Sequence, residues 1–392
     1  MFLLNPQNYN PMDSNTFKNL QTNEEKEQYV LEISKQFIHS NDYSGLLNLL
    51  TTLETHWKDL SVARLTKIIK MVFEIITIDI GNFEELRMFL KKLIEWSEYR
   101  KMLKLDLECK LINVYLAVGK FTECLDKIMV VLKELKKYDD KNNLISLYVC
   151  ESKAYYELMD FSKAKSSLTS ARALAVSSAC RPQLQAQIDM LNGMYLSDEK
   201  SFDTAISYFI ESLEGFLQDK IIFDAKIALR YIVLNKILLG KYEDIPAFLS
   251  LKIIKNIKED QIVDLLCEVA NTCKKRDLKA YNKLLTTNSI ILDTDLYIKR
   301  HLMYLYNILL DKNILKIIEP YSHIKVNFIS SKLHLSEDLI ESKLRKMILD
   351  KKITGILDHD TQCLILLESE KTLADNGLKG LRLLEEFFAS TE

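Results

Sequence analysis

The chain has 392 residues, of which 48% are hydrophobic and 28% are charged, and its 53 basic and 55 acidic residues leave a formal net charge of −2. This composition excludes an intrinsically disordered chain, and the small net charge excludes a global attraction to nucleic acid or to an anionic membrane. Glycine occurs 9 times and proline 5 times. Because these residues interrupt helices and are scarce here, we predict a mainly α-helical protein.

Cysteine usage and the length of apolar runs indicate the cellular compartment of the chain and whether it crosses a membrane. The seven cysteines form no C-x-x-C pair, which favours a reducing compartment over a disulfide framework. The first residues contain too few apolar side chains for a signal peptide. No apolar run approaches the ~18 to 20 residues that a membrane span needs. We therefore expect a soluble intracellular protein with no membrane partner.

The strongest pattern is a repeat of about 40 residues. An aromatic residue stands between a polar or glycine-containing turn and a new amphipathic stretch, and it recurs at intervals of 40, 38, 40, 41 and 40 residues. We interpret these aromatics as wedges in the core between helix pairs, and we predict that Phe161 and Phe202 are buried. The six positions are Tyr43, Phe83, Phe121, Phe161, Phe202 and Tyr242.

Each repeat has the pattern of two amphipathic helices. In one unit, residues 107–118 and residues 124–135 each carry an apolar stripe with helical spacing. The small residues Ala164 and Ala205, three positions after an aromatic, resemble the second half of a tetratricopeptide repeat (TPR), although the period here exceeds ~34 residues. A single helix pair cannot cover its apolar face, whereas stacked pairs can. The sequence therefore predicts a right-handed, TPR-like helical-repeat solenoid.

After a weaker repeat at Leu278, the pattern changes to that of a winged helix. A short strand around Lys325 precedes a short helix, and Ser336 is placed as the N-cap of a second helix. An apolar hairpin, predicted at residues 353–356 and 363–367, forms the wing. The second helix has a stripe predicted to be buried, consisting of Ile340, Leu344, Met347 and Ile348.

The charges on this second helix argue against DNA binding. In helix-turn-helix proteins the start of the second helix approaches base edges and phosphates. Here Glu337, Asp338 and Glu341 occupy that start and would repel a duplex. The wing, in contrast, offers an edge strand that can pair with another chain.

Motifs of catalysis and metal binding are missing from the sequence. H-E-x-x-H, G-x-x-x-x-G-K-[ST] and G-x-G-x-x-G do not occur, and the six histidines do not cluster with carboxylates at ligand spacing. We interpret His359 and Asp360 as residues of the wing tip, and Cys267 and Cys273 as core residues. No catalytic residue, metal or cofactor is expected.

A helical-repeat array that ends in a winged helix resembles the PCI domain, which is shared by subunits of the proteasome lid, the COP9 signalosome and translation initiation factor three. Long stretches are similar, in order, to a family of non-ATPase subunits of the 26S proteasome lid. The similarity runs from about Leu46 to about Leu367. Two of these stretches are "ESKAYYELMDFSKAKSSLTSARALA" and "IEPYSHIKVNFISSKLHLSEDLIESKLRKMILDKKITGILD".

The resemblance implies a non-catalytic scaffold of ubiquitin-dependent proteolysis in the cytoplasm and nucleus. The solenoid, residues 1–220, would contact a 20S core α-subunit and the ATPase ring. The PCI domain, residues 221–368, divides into helical repeats at 221–318 and a winged helix at 319–368, and it would contact other PCI lid subunits. Residues 369–392 would form a C-terminal assembly helix. The expected interface residues are Ile353, Ile356, Leu364, Leu366, Leu378, Leu381, Leu384 and Phe388.

Two questions stay open at this point. The apolar stripe of the C-terminal helix can pack against helices of other subunits or dock on its own winged helix. The architecture is also compatible with a scaffold like COP9 signalosome subunit two or with a PCI subunit of the translation initiation factor three type. The stretch "CRPQLQAQIDML" resembles the proteasome family more closely.

Overall fold

A computed structural model of the chain describes residues 23–57, 61–76, 83–178, 180–254, 257, 259–358, 362–367, 377–378 and 380–381. The chain divides into two compact units. The first contains residues up to 200 together with 211–221, and the second contains residues 201–210 together with those from 222 onward. His359 and Asp360 lie outside the described residues.

The first unit is a succession of helices. Within each pair the second helix begins at one of the repeated aromatics, so the 40-residue pattern correctly predicts where these helices start. The helices are α1 (Asn23–His39), α2 (Tyr43–His56), α3 (Val62–Ile75), α4 (Phe83–Trp96), α5 (Lys101–Ala117), α6 (Phe121–Tyr138), α7 (Lys141–Glu157), α8 (Phe161–Ser177), α9 (Pro182–Asp198) and α10 (Phe202–Gln218), the last shared between the units.

At most of these turns, the residue two positions before the aromatic adopts the left-handed (αL) backbone conformation. Between α7 and α8, Met159 has φ of 62°, and the N–H of Asp160 donates to the carbonyl of Tyr155 at 2.9 Å. This bond is the Schellman closure of a helix C-terminus. Asp160 then caps α8, because its side chain accepts from the N–H of Lys163 at 3.2 Å. The equivalent left-handed residues at other turns are Asn41, Gly119, Lys200, Gly240 and Arg276.

The two helices of a pair differ in how they are buried. The first helix α5 is buried around most of its circumference, whereas the second helix α6 buries one stripe. This difference is expected of an array in which first helices are sandwiched between neighbours. The α6 stripe is the predicted one and consists of Cys124, Ile128, Val131, Leu132 and Leu135.

The repeated aromatics are not equally buried. Tyr43 and Phe83 are core residues, and Phe202 is buried as predicted. The prediction that Phe161 is buried is wrong, because its side chain is 39% exposed. Its ring packs against that of Tyr156 on the preceding helix, with the two ring centroids 5.6 Å apart.

Close packing of α7 against α8 depends on the predicted small residue. Ala164 is fully buried, and its carbonyl accepts a 2.8 Å hydrogen bond from the hydroxyl of Ser152 on α7. The Ser152 hydroxyl also contacts the hydroxyl of Tyr195 on α9 at 2.5 Å. A larger side chain at residue 164 would separate the two helices and break this contact.

The second unit continues with helices and ends in the winged helix. Leu278 is buried and is the first residue of its helix, as the weaker seventh repeat predicts. The elements after α10 are α11 (Ile222–Leu239), α12 (Asp244–Leu249), α13 (Gln261–Lys275), α14 (Leu278–Thr287), α15 (Ser289–Leu292), α16 (Leu296–Ile318), β1 (His323–Lys325), α17 (Val326–Leu333), α18 (Glu337–Leu349), β2 (Gly355–Asp358) and β3 (Cys363–Leu366).

The winged helix has the predicted order of strand, helix, turn, helix and hairpin. Two details differ from the prediction: α17 already begins at Val326, and β2 begins at Gly355, two residues later than expected. Ser336 occupies the N-cap position of α18 but makes no side-chain capping bond. The core of this domain contains Ile324, Ile329, Ile340, Leu344, Met347, Ile353 and Leu364.

Candidate protein interfaces

The three strands form one antiparallel sheet in the order β1-β3-β2, so β3 is the central strand. The N–H of Leu366 donates to the carbonyl of Ser322 at 2.8 Å, on the β1 side. The N–H of Leu367 donates to the carbonyl of Thr354 at 2.9 Å, on the β2 side. Both sides of β3 are therefore occupied within the chain, and among the described residues the outer edges of β1 and β2 pair with no further strand.

This order changes the roles of the four predicted wing residues. Ile353 and Leu364 are buried in the winged-helix core, with 5% and 0% of their surface exposed. Leu366 lies in the central strand, so the expectation that it contributes a free edge is wrong. Only Ile356 has an exposed side chain, at 56%, and it lies on the edge strand β2.

The outer edge of β2 presents backbone groups for pairing. In an antiparallel ladder the hydrogen-bonding direction alternates from residue to residue. Because Thr354 faces β3 through its carbonyl, Gly355 and Leu357 direct their N–H and C=O groups to the open side. An edge of this kind is a template for strand addition. Sequence patterns did not identify these groups, because a hairpin alone does not reveal which of its strands is covered.

The cations of α18 are largely engaged within the chain. The ammonium of Lys343 lies 2.7 Å from the carboxylate of Asp311, and Arg345 pairs with Glu341. The acidic start of the helix, with Glu337 and Asp338, remains as predicted. This distribution leaves little positive charge on α18 for a phosphate backbone.

A second contact to Asp311 joins the wing to α16. Lys352 donates to Asp311 at 2.7 Å, and this hydrogen bond raises the pKa of the Lys352 ammonium. Asp311 itself is 9% exposed. No local sequence pattern indicates this cluster, since the partners lie 32 and 41 residues from Asp311.

The predicted C-terminal interface residues are described only in part. Leu378 and Leu381 are 55% and 61% exposed. Leu384 and Phe388 lie outside the described residues.

Within the described ranges, no group of three or more His, Cys, Asp or Glu side chains is arranged to hold a metal ion. None of the helices that the structure describes combines the length and the apolar character that crossing a bilayer requires.

Helical repeats followed by a winged helix with an open sheet edge define a PCI-domain protein. Family models agree with this class: residues 257–368 match the PCI domain, and residues 8–118 match the 26S proteasome regulatory subunit RPN6 N-terminal domain. The second match begins at residue 8, so the prediction that the similarity starts at about Leu46 is wrong.

Curated relatives extend the similarity over most of the chain. A Dictyostelium discoideum protein named 26S proteasome non-ATPase regulatory subunit 11 is 33% identical over 350 residues, covering 88% of this chain and 84% of that protein. The probable regulatory subunit rpn6 of Schizosaccharomyces pombe is 31% identical, covering 88% and 82%. The Arabidopsis thaliana subunit 11 homolog is 31% identical, covering 88% and 83%. The chain belongs to the Rpn6 family of 26S proteasome regulatory subunits, also named non-ATPase regulatory subunit 11.

Proposed function

We propose that the chain is a non-catalytic structural subunit of the lid of the 26S proteasome regulatory particle, in the cytoplasm and nucleus. The observation that carries this proposal is the collinear similarity to proteins named as 26S proteasome regulatory subunits over 88% of the chain. In this role the helical repeats up to about residue 220 contact a 20S core α-subunit and the ATPase ring, and residues from 221 onward contact other PCI lid subunits.

We infer that the edge of β2 is the surface that joins a neighbouring winged helix. Its support is the outward N–H and C=O groups of Gly355 and Leu357 beside the exposed side chain of Ile356. Main-chain pairing provides affinity, and an apolar side chain beside it provides specificity.

The test is affinity purification of the tagged chain, with its partners identified by mass spectrometry. Wild type should retain lid subunits, ATPases and core particle. Ile356→Lys places a charge on the edge without removing a core residue, so it should reduce retention of lid subunits while the protein stays folded. Ile290→Lys is the matched control, since Ile290 is 83% exposed on α15. Purification with signalosome or translation-factor subunits instead would contradict the proposal.

For the C-terminal segment we favour assembly over docking on its own winged helix. The exposure of Leu378 and Leu381 supports this choice. Gly377 and Gly380 weaken the segment as an isolated helix by about 1 kcal/mol each. Deletion after Ser369 should then block lid incorporation with almost no effect on the melting temperature of the isolated chain. A clear fall in that temperature would favour docking on the winged helix.

A further inference from the structure

A groove in the first unit is lined by α3, α5, α7 and α9, the first helices of four successive pairs. Its volume is about 460 Å³, and its lining combines many polar side chains with apolar ones such as Leu107 and Leu116. Adjacent packed helices lie about 9 Å apart, so contact with all four needs a ligand of roughly 27 Å, or about eight residues of extended peptide.

Three of the four helices contribute one cation each to this groove, and the residue before the fourth helix contributes another. Lys70, Lys110 and Lys153 lie on α3, α5 and α7, and Arg181 directly precedes α9. The ammonium of Lys70 is paired with Asp106 at 2.9 Å. The other three cations have no ion-pair partner in the part of the chain that the structure describes. The lining holds four cations against the two carboxylates of Asp106 and Asp140, an excess of two positive charges.

The two carboxylates of the groove are already engaged. The side-chain amide of Asn143 donates to Asp106 at 2.6 Å and to Asp140 at 2.7 Å. Asp140 also caps α7 by accepting from the Asn143 backbone N–H at 3.3 Å. Asp106 pairs with Lys70, whereas Asp140 is held by neutral donors and keeps its negative charge. It therefore offsets one of the other three cations, and two positive charges remain in excess.

The floor of the groove adds hydrogen-bond donors but no further charge. The thiol of Cys150 donates to the side-chain oxygen of Asn113 at 2.9 Å, which leaves the Asn113 amide N–H groups for a ligand. Burial raises the pKa of the Cys150 and Cys109 thiols, so both remain neutral. An amide donor beside apolar side chains suits a peptide backbone better than a phosphodiester chain.

We propose that this groove binds an extended acidic segment of a protein partner, whose carboxylates face Lys110, Lys153 and Arg181. Apolar side chains of the segment would lie on the floor, and its carbonyls would accept from Asn113. This surface is separate from the sheet edge of the winged helix, and the proposal does not depend on incorporation into a lid.

The test is fluorescence anisotropy of the full-length chain with a labelled peptide of about eight residues that alternates glutamate with leucine, the length set by the groove. Binding should weaken as salt is raised, because the contacts are between charges. Lys153→Glu and Arg181→Glu should each reduce affinity about tenfold. Lys133→Glu is the matched control, since Lys133 is exposed on α6 outside the groove, and it should leave affinity unchanged.

Three outcomes would overturn the proposal. The first is no binding of the glutamate peptide, or equal binding of a peptide with glutamine in place of glutamate. The second is an equal loss with Lys133→Glu, which would indicate a general charge effect. The third is displacement by inorganic phosphate or by a single-stranded oligonucleotide at concentrations similar to the peptide's own, which would indicate an unspecific anion site. Circular dichroism of each variant establishes that it is folded.

Discussion

Lys352 and Asp311 form a 2.7 Å hydrogen bond between the turn that precedes the wing and the long helix α16. Asp311 also lies 2.7 Å from the ammonium of Lys343 on α18. One nearly buried carboxylate thus holds two parts of the winged helix against the helix that precedes it. If the β2 edge contacts a neighbouring subunit, this cluster fixes the direction in which the edge points.

Asp311→Asn should weaken this junction. The substitution leaves two lysines beside a neutral side chain, and removing one partner of a largely buried charge cluster costs about 2 to 4 kcal/mol. Urea unfolding measures the free energy, and hydrogen exchange should show faster exchange in β1, β2 and β3. Glu243→Gln is the control, because its pair with Lys274 is exposed, and it should cost less than about 0.5 kcal/mol. Equal losses for both variants would contradict the assignment.

The same cluster predicts a response to alkaline pH. Asp311 raises the pKa of Lys352 above its ordinary value of 10.5. A group whose pKa is raised by folding contributes its stabilisation fully below the unfolded-state pKa and loses it as pH rises through the folded-state pKa. The stability difference between wild type and Lys352→Met should therefore be constant from neutral pH to about pH 10 and should shrink above it. A difference that shrinks below pH 9 would contradict this assignment.

Turn conformation gives a third prediction. Met159 has φ of 62°, a region that disfavours side chains with Cβ by about 1 kcal/mol. Met159→Gly should therefore stabilise the protein by up to about 1 kcal/mol, and Gly240→Ala should destabilise it by a similar amount. At Gly240 the substitution tests backbone conformation alone, because an added Cβ would meet no atom within 4 Å. Thermal unfolding of both variants checks the prediction, and changes of the same sign would refute it.

These turns illustrate what the sequence could and could not predict. Five of the six aromatics stand at the first position of a helix, whereas the helix that follows Tyr242 begins two residues later, at Asp244. The left-handed residues could be expected at Gly119 and Gly240 but not at Met159, Lys200 or Arg276. At those three positions the hydrogen bonds that close the preceding helix impose the conformation on an unfavourable residue.

The wing shows the same limit for long-range pairing. The apolar pattern predicted both strands of the hairpin, since alternation is a local signal. The position of β3 in the centre of the sheet depends on pairing with β1, about 40 residues earlier in the chain. No local pattern encodes that partner, so Leu364 and Leu366 looked like edge residues before the sheet order was known.

Because Phe209 and Phe161 differ in burial, truncating them to alanine should cost different amounts of stability. Phe209 is fully buried, and Phe209→Ala should cost about 3 to 5 kcal/mol because it opens a cavity. Phe161→Ala should cost no more than about 1.5 kcal/mol, since the ring is 39% exposed and its specific contact is the edge of Tyr156. Denaturant unfolding of the two variants measures the difference. A larger loss of unfolding free energy for Phe161→Ala would mean that this ring does support the packing of its helix pair.

A buried carboxylate on α9 gives the last prediction. Asp189 is 6% exposed, and burial raises its pKa above the ordinary 3.8, although two hydrogen bonds from Gln185 at 3.0 and 3.1 Å oppose that shift. The native state therefore binds the proton more tightly than the unfolded state, and stability falls as pH rises from 3.8 through the folded-state pKa. Asp189→Asn is neutral at every pH, so its stability relative to wild type should be higher at pH 7 than at pH 4. Asp126→Asn is the control, because Asp126 is exposed on α6. Its effect on stability should be small and equal at pH 4 and pH 7. Thermal unfolding at the two pH values measures both variants, and a difference for Asp189→Asn that does not change with pH would mean that the buried carboxylate carries no penalty.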